Sequence, residues 1–402
     1  MSSNTPTSRF ADAIRLLDEG VGTAYPGAVL AVRWRGELVV RHAAGRTASQ
    51  EGAPGVTPET VYDLASLTKV TATLPLVLQA VAEGRLGFED PVPRYLPECP
   101  HHHITIRHLL THTSGLPAWI PFYLRTMGGG AIVRGAAATP LETAPGTQVT
   151  YSDVGFVLLG EIVRRIFAAP LDALAAARVY TPLGMTKTGY RRRGGARPAA
   201  GPRRHEHPPV EARRAAGTAG GDDDPRTDIA PTEDGTLIEQ RMTEARPWAE
   251  AGRRHTWRRY LIWGEVHDSN AHAMDGVSGH AGLFGTAGDL AAYAQMWLAN
   301  GRGPHGTILE PALVREATAP QTPPPKIRGL GWALTGDQGW WGDALSPRAF
   351  GHTGFTGTSI VVDPTRDLAI VLLSNAVHLG RDRTGILSLR PAIAAALARA
   401  ML

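Results

Sequence analysis

Residues 357–376 read GTSIVVDPTRDLAIVLLSNA, two apolar, β-branched runs on either side of Asp363-Pro364-Thr365-Arg366-Asp367. Turn-forming residues between two such runs are a hairpin signal. A second signal of this kind lies near the other end of the chain. Residues 28–45 read AVLAVRWRGELVVRHAAG, strand-like on both sides of Arg35-Gly36. Hairpins near both ends with helical sequence between them predict one antiparallel sheet built from both termini and flanked by helices. The expected class is α/β (α+β), with a mainly helical subdomain inserted. The boundaries read as a sheet subdomain of 1–66 plus 281–402 and a helical subdomain of 67–280, within a single domain of 1–402.

Working inward, Phe10 to Leu17 reads as a short amphipathic helix ending at Gly20. Val70, Leu74, Val77, Leu78 and Val81 are apolar at helical spacing, which predicts a helix that stops at Gly84. Pro75 removes a backbone N–H and should bend that helix or sit where a neighbour accommodates the lost bond. Helical character recurs at 154–168, at 288–300 before Asn300-Gly301, and from Leu387 to Leu402. Trp248, Trp257, Tyr260 and Trp263 indicate that 236–265 folds back onto the body. No internal repeat is present.

The chain has 402 residues and is 43% hydrophobic, too apolar for a disordered protein. No apolar run reaches the roughly 18 residues of a membrane helix, so no span is expected. Cys99 alone cannot form an internal disulfide. The first residues lack a basic start followed by an apolar stretch, and the expectation is a cytoplasmic protein. The basicity is local. Residues 191–214 carry eight Arg against Glu206 and Glu211, while the formal net charge of the whole is +4. The rest of the chain is therefore slightly acidic. Residues 191–235 also contain an acidic run, Asp222 to Asp224, and no Phe or Trp, unlike a nucleic-acid-binding face. They read as a flexible Arg/Pro/Gly-rich insertion.

Three short patterns can carry chemistry. In Ser66-Leu67-Thr68-Lys69, a serine and a lysine three apart on a helix share one face. A serine hydroxyl becomes a nucleophile when a neighbouring base takes its proton, and an amine can be that base once its pKa falls. The alternative is an exposed polar pair. Against it stands the scarcity of lysine: only Lys69, Lys187 and Lys326 occur among 41 basic residues, and arginine cannot give up its proton. In Tyr151-Ser152-Asp153, the phenol could shuttle a proton beside a lysine, or merely cap the following helix. In Gly351-His352-Thr353-Gly354-Phe355-Thr356-Gly357, glycines allow close approach of a substrate to the backbone, and a backbone N–H could polarise a carbonyl. A glycine-rich hairpin without a ligand is the plain alternative.

Occurring together in this order, these patterns resemble the serine β-lactamase and penicillin-binding-protein superfamily, most of all the class C β-lactamase branch with its esterases and D-amino-acid peptidases. The resemblance extends over LGFEDPVPRYL (86–96), HLLTHTSGL (108–116), PLGMTKTG (182–189), IAPTE (229–233) and GEVHDSNAHAMDGVSGHAGLFGTAGD (264–289). Residues 191–226 do not match. The resemblance implies a β-lactamase/transpeptidase-like fold, with Ser66 as acylated nucleophile, Lys69 as its proton-accepting partner and Tyr151 as base and then acid. It further implies an oxyanion hole from the backbone N–H groups of Ser66 and Phe355. Asp153, His352, Thr353 and Gly354 would contact the substrate. No cofactor and no metal follow from it.

Two departures stand out. His352 occupies the place of the usual lysine of Lys-Thr-Gly, which disfavours strong β-lactamase activity. Asp153 replaces the Asn of Tyr-x-Asn, and could pair with Lys69, keep it protonated and shift the base role to Tyr151. The function expected is a serine hydrolase of esters or small amides. A transacylase that passes the acyl group to an amine or alcohol is the alternative, and a silent ligand-binding protein on the same fold is the second. The partner is a small-molecule ester or amide, with no nucleic acid; the sequence does not set the oligomeric state. His101 to His103 read as a solvated loop, and His108 and His112 as scaffold behind the site. His267, His272 and His280 should be buried in hydrogen bonds, with Asp268 or Asn270 lining the pocket.

Overall fold

A computed structural model describes residues 9–193, 226–244, 247–335, 340–380 and 384–401. The strands are β1 (Gly27–Trp34), β2 (Glu37–Gly45), β3 (Tyr62–Asp63), β4 (Gly189–Tyr190), β5 (Leu283–Gly285), β6 (Arg302–Gly303), β7 (Gly306–Thr307), β8 (Ala333–Leu334), β9 (Phe350–Thr353), β10 (Ser359–Asp363) and β11 (Leu368–Ser374). The main sheet runs β2-β1-β11-β10-β9-β8, antiparallel throughout. It is built from both ends of the chain, as both hairpins predict. Arg35 and Gly36 supply the positive φ values, 53° and 82°, that a tight two-residue turn demands.

Alternation of side chains along a strand explains why β1 up to Val32 and β11 up to Leu373 are apolar. Val29, Ala31, Val371 and Leu373 belong to one core, and Leu30, Val32, Ile370 and Leu372 to another on the opposite face. Helices cover both faces. The helix α5 (Ala287–Leu298) packs on β1, β10 and β11, whereas α1 (Ala11–Glu19) and α6 (Thr384–Ala400) lie together with the second core. Each fully buried aliphatic side chain contributes about 1.5–3 kcal/mol, so a central strand buried on both faces anchors the terminal hairpins firmly.

The helix expected over 70–81 begins differently. Lys69–Thr73 forms a wide π-helical turn, and the α-helix α2 (Leu74–Ala82) follows with Pro75 in its first turn. The two turns run on without a break, so Pro75 forfeits a bond to the preceding turn, where the Tyr293 hydroxyl donates to the Val70 carbonyl. Such wide turns concentrate at functional sites. The helix α3 (Asp153–Phe167) follows Tyr151 directly and ends at Ala168, which takes a left-handed conformation.

A small sheet, β3-β5-β4, joins the segment before Ser66 to residues 189–190 and 283–285. Of the stretch expected as a flexible insertion, 194–225 lie outside the described residues. Its margins are packed. Arg192 donates to both Asp172 oxygens at 2.9 and 3.0 Å, and Ala230 N–H to the Val61 carbonyl at 2.9 Å. Ile229 and Ala230 are buried, two apolar residues hidden in a polar composition. As expected, 236–265 returns to the body, burying Trp257 and Ile262. No helix among the described residues is long and apolar enough to cross a membrane.

Candidate active site

Ser66 stands where β3 gives way to the π turn. Ala65 before it has φ 46°, and its N–H donates to Asp63 Oδ1 at 2.9 Å. That kink presents Ser66 at the mouth of a cavity of about 150 Å³, lined also by Tyr151, Asp153 and Phe355. One turn on, Lys69 is wholly buried. Its Nζ donates to Ser66 Oγ at 2.9 Å and to the His280 carbonyl at 3.2 Å, and pairs with Asp153 Oδ1 at 2.7 Å. Three acceptors around one nitrogen match the three protons of an ammonium.

Electrostatics agree with that count. Burial opposes the Lys69 charge, but Asp153 and Tyr151 outweigh it and hold the amine above its ordinary pKa. Burial raises the Tyr151 phenol above its ordinary value and Asp153 raises it further, while Lys69 and a hydrogen bond with Ser66 pull it down. Lys69 Nζ also lies 4.9 Å from the centre of the Tyr151 ring, and Arg328 approaches the same ring at 5.6 Å. Two cations therefore favour the phenolate when it forms.

Tyr151 itself does not cap the helix. Ser152 does, accepting the Gly155 N–H at 3.2 Å while donating to the Pro117 carbonyl at 2.7 Å. The Ser152 N–H in turn donates to His112 Nδ1 at 2.9 Å. The His112 ring lies against Tyr151, centroids 4.6 Å apart, so the expected scaffold histidine sets the position of the phenol. His108 closes a capping box with Thr105. His101, in the run expected as a solvated loop, reaches the Thr139 carbonyl at 2.7 Å.

The Gly-rich hairpin contributes in another way than expected. Thr356 Oγ1 donates to the Asp63 carbonyl at 2.7 Å and Thr358 Oγ1 to the Leu64 carbonyl at 3.1 Å. These bonds tie the β9–β10 turn to the segment that delivers Ser66 and bring Phe355 to the cavity. A Cβ on Gly354 would sit 2.6 Å from the Leu64 carbonyl oxygen and 2.1 Å from Thr358 Oγ1. The glycine thus admits the protein's own backbone. His352, Thr353 and Gly354 are absent from the cavity lining. His352 is buried, and its Nδ1–H donates to the Thr353 carbonyl at 2.8 Å. Burial first, then Lys69 and Arg328, push its pKa well below the ordinary value. The imidazole is neutral and cannot stand in for a lysine's charge.

Several wall residues escaped sequence reasoning. Glu239 and Met242 come from α4 (Leu237–Thr243) and Trp119 from a loop; no local pattern marks them. Asp268 lines the cavity, as expected of it, and pairs with His280 Nε2 at 3.0 Å. Asn270 instead holds the neighbouring loop, donating to the Ile120 carbonyl at 2.8 Å. His267 meets Glu233 at 2.8 Å and stacks on Phe355; His272 lies 3.4 Å from Glu265.

Ser66, the buried Lys69 and Tyr151 thus meet at one cavity. The profile of the Beta-lactamase family matches residues 13–394. This chain belongs to the β-lactamase family. Within it, the chain is an enzyme of the serine hydrolase and acyltransferase type. This β-lactamase-family protein is 31% identical to a putative D-alanyl-D-alanine carboxypeptidase of Escherichia coli, over 90% of this chain and 81% of the relative. It is 30% identical to an N-acetylmuramyl-L-alanine amidase of Bacillus subtilis, over 92% and 82%. A mutant of simvastatin synthase from Aspergillus terreus has the same fold, with a TM-score of 0.69 at 18% identity, over 100% of this chain and 99% of that one.

Proposed function

We propose that this enzyme hydrolyses small amides or esters through an acyl-enzyme at Ser66. The observation that carries the proposal is Lys69 Nζ at 2.9 Å from Ser66 Oγ and 2.7 Å from Asp153. With Lys69 held as an ammonium, the Tyr151 phenolate is the group that accepts the Ser66 proton. Ser66 Oγ then bonds to the carbonyl carbon, and the oxygen that gains charge faces the backbone N–H groups of Ser66 and Phe355. The C–N or C–O bond breaks and the departing atom takes the proton from Tyr151. Water repeats the sequence: its proton goes to Tyr151, its oxygen to the carbonyl carbon, and Ser66 leaves with the proton.

Amides are favoured over esters by the two relatives, whose names both describe amide-bond cleavage. The neutral His352 supports weak turnover of β-lactams, since it offers no cation to their carboxylate. Intact mass spectrometry of wild type and Ser66→Ala, with esters, D-aminoacyl amides and penicillins, tests the reading. The expected result is an acyl adduct on wild type alone, released to water, with nitrocefin hardly turned over. Fast nitrocefin turnover lost in Ser66→Ala overturns the substrate assignment. Transfer of the acyl group to an added amine in preference to water makes the enzyme a transacylase, and failure of a fluorophosphonate to label Ser66 removes the acyl-enzyme altogether.

A further inference from the structure

In the mechanism above, two segments far apart in sequence each bring one N–H to the same carbonyl oxygen. The N–H of Ser66 rides on the kink at Ala65, which Asp63 Oδ1 fixes at 2.9 Å. The N–H of Phe355 rides on a turn with Gly354 before it and Gly357 two residues after. Thr356 and Thr358 tie that turn down only beyond Phe355. Glycines leave a backbone pliable, so the place of Phe355 depends on what holds its ring.

The ring meets His267, with centroids 5.7 Å apart and planes 24° apart. Both residues line the cavity. Stacking of two flat rings fixes distance and tilt together. His267 is itself held from three sides. Its backbone N–H donates to Asp63 Oδ2 at 2.7 Å, its carbonyl accepts from Arg258, and its Nε2 meets Glu233 Oε2 at 2.8 Å. Glu233 is buried, and its other oxygen accepts the Ile238 N–H at 2.9 Å. Asp63 therefore spends one carboxylate oxygen on the segment that delivers Ser66 and the other on the residue that meets Phe355.

We propose that His267 is a positioning residue: by stacking on Phe355 it keeps the Phe355 N–H in register with that of Ser66. The inference rests on the acyl-enzyme reading above and deepens it. Glu233 acts through His267 by fixing the plane of the imidazole. Burial opposes a proton on that ring, but Glu233 and Glu239 raise its pKa overall, and an imidazolium attracts an aromatic face.

The test separates the ring from the hydrogen bond. His267→Phe keeps a flat ring against Phe355 but leaves Glu233 buried without its partner, so its Tm should fall further. His267→Gln keeps a donor for Glu233 but loses the ring. With p-nitrophenyl acetate, kcat is expected to stay within about threefold of wild type in His267→Phe and to fall at least about tenfold in His267→Gln, with KM within about twofold in both. The rate of fluorophosphonate labelling of Ser66 should follow kcat. Activity and stability thus rank the two variants in opposite order. A kcat that follows Tm, or that is unchanged in His267→Gln, overturns the proposal. Should His267→Phe not fold, a cycle with Phe355→Leu decides. A double variant no slower than His267→Gln supports action through Phe355, and additive losses overturn it. If wild type is acylated at Ser66 and the variants match it, only the role of His267 falls. If wild type is not acylated at Ser66, both readings fall.

Discussion

Asp153 Oδ1 lies 2.7 Å from Lys69 Nζ, a wholly buried amine against a carboxylate that is 21% exposed at the cavity. This contact raises the pKa of Lys69 and of Tyr151 alike. The resting site holds one proton too many to activate Ser66, so turnover rises with pH as the pair loses that proton. Asp153→Asn removes the negative charge and lowers both groups. The ascending limb of kcat/KM against pH is expected to move to lower pH in the variant. A limb that stays in place, in a protein that still labels at Ser66, refutes the pairing as the control on ionisation.

Burying a lysine at position 352 adds a third cation beside Lys69 and Arg328, both of which already act on that ring. His352→Lys should destabilise the protein by about 3 kcal/mol, the cost of a buried charge without a partner. Urea unfolding checks this. No change in midpoint means the site can hold the charge after all.

The Thr356 hydroxyl joins the turn that carries Phe355 to the Asp63 carbonyl. Thr356→Val leaves a buried carbonyl unmet, at a cost of about 1–3 kcal/mol. It also loosens the register between the Ser66 and Phe355 N–H groups, and on the proposed mechanism kcat should fall at least about tenfold with little change in KM. Equal kcat in the two proteins would show that the turn holds its place unaided.

Stability should depend on pH through the buried histidines. His112 and His352 are held well below their ordinary pKa, mainly by burial. The unfolded chain takes up protons below about pH 6.5 that the folded one refuses. Their contribution is therefore present above that pH and lost as pH falls, by up to about 1.4 kcal/mol per unit for each. His267 works in the opposite sense. Although burial disfavours its charge, Glu233 raises it, so its contribution is full below about pH 6.5 and fades as pH rises through the folded value. With two against one, Tm should fall from pH 7.5 to 5.5, and less steeply in His352→Gln.

The two hairpins and the Ser66–Lys69–Tyr151 set were legible because each is a local pattern, readable within a few residues. The Asp153–Lys69 contact followed from the chemistry of an unexpected carboxylate. The orientation of His352 and the true neighbour of Gly354 were not legible. Both depend on the turn at 354–358 meeting residues 63–64, a contact that no spacing along the chain reveals. Glu239 is hidden for a related reason: burial of a short polar helix is decided by the wall it closes.

The same long-range contact bears on how the protein is made. Ser66 emerges from the ribosome far ahead of Phe355, and β1 has only β2 for company until β11, its other neighbour, has been synthesised. Until the last hairpin docks through Thr356 and Thr358, the proposed nucleophile lacks Phe355, the residue proposed to supply the second oxyanion N–H. On the proposed mechanism, a chain cut short before the last hairpin is expected to stay unlabelled by a fluorophosphonate.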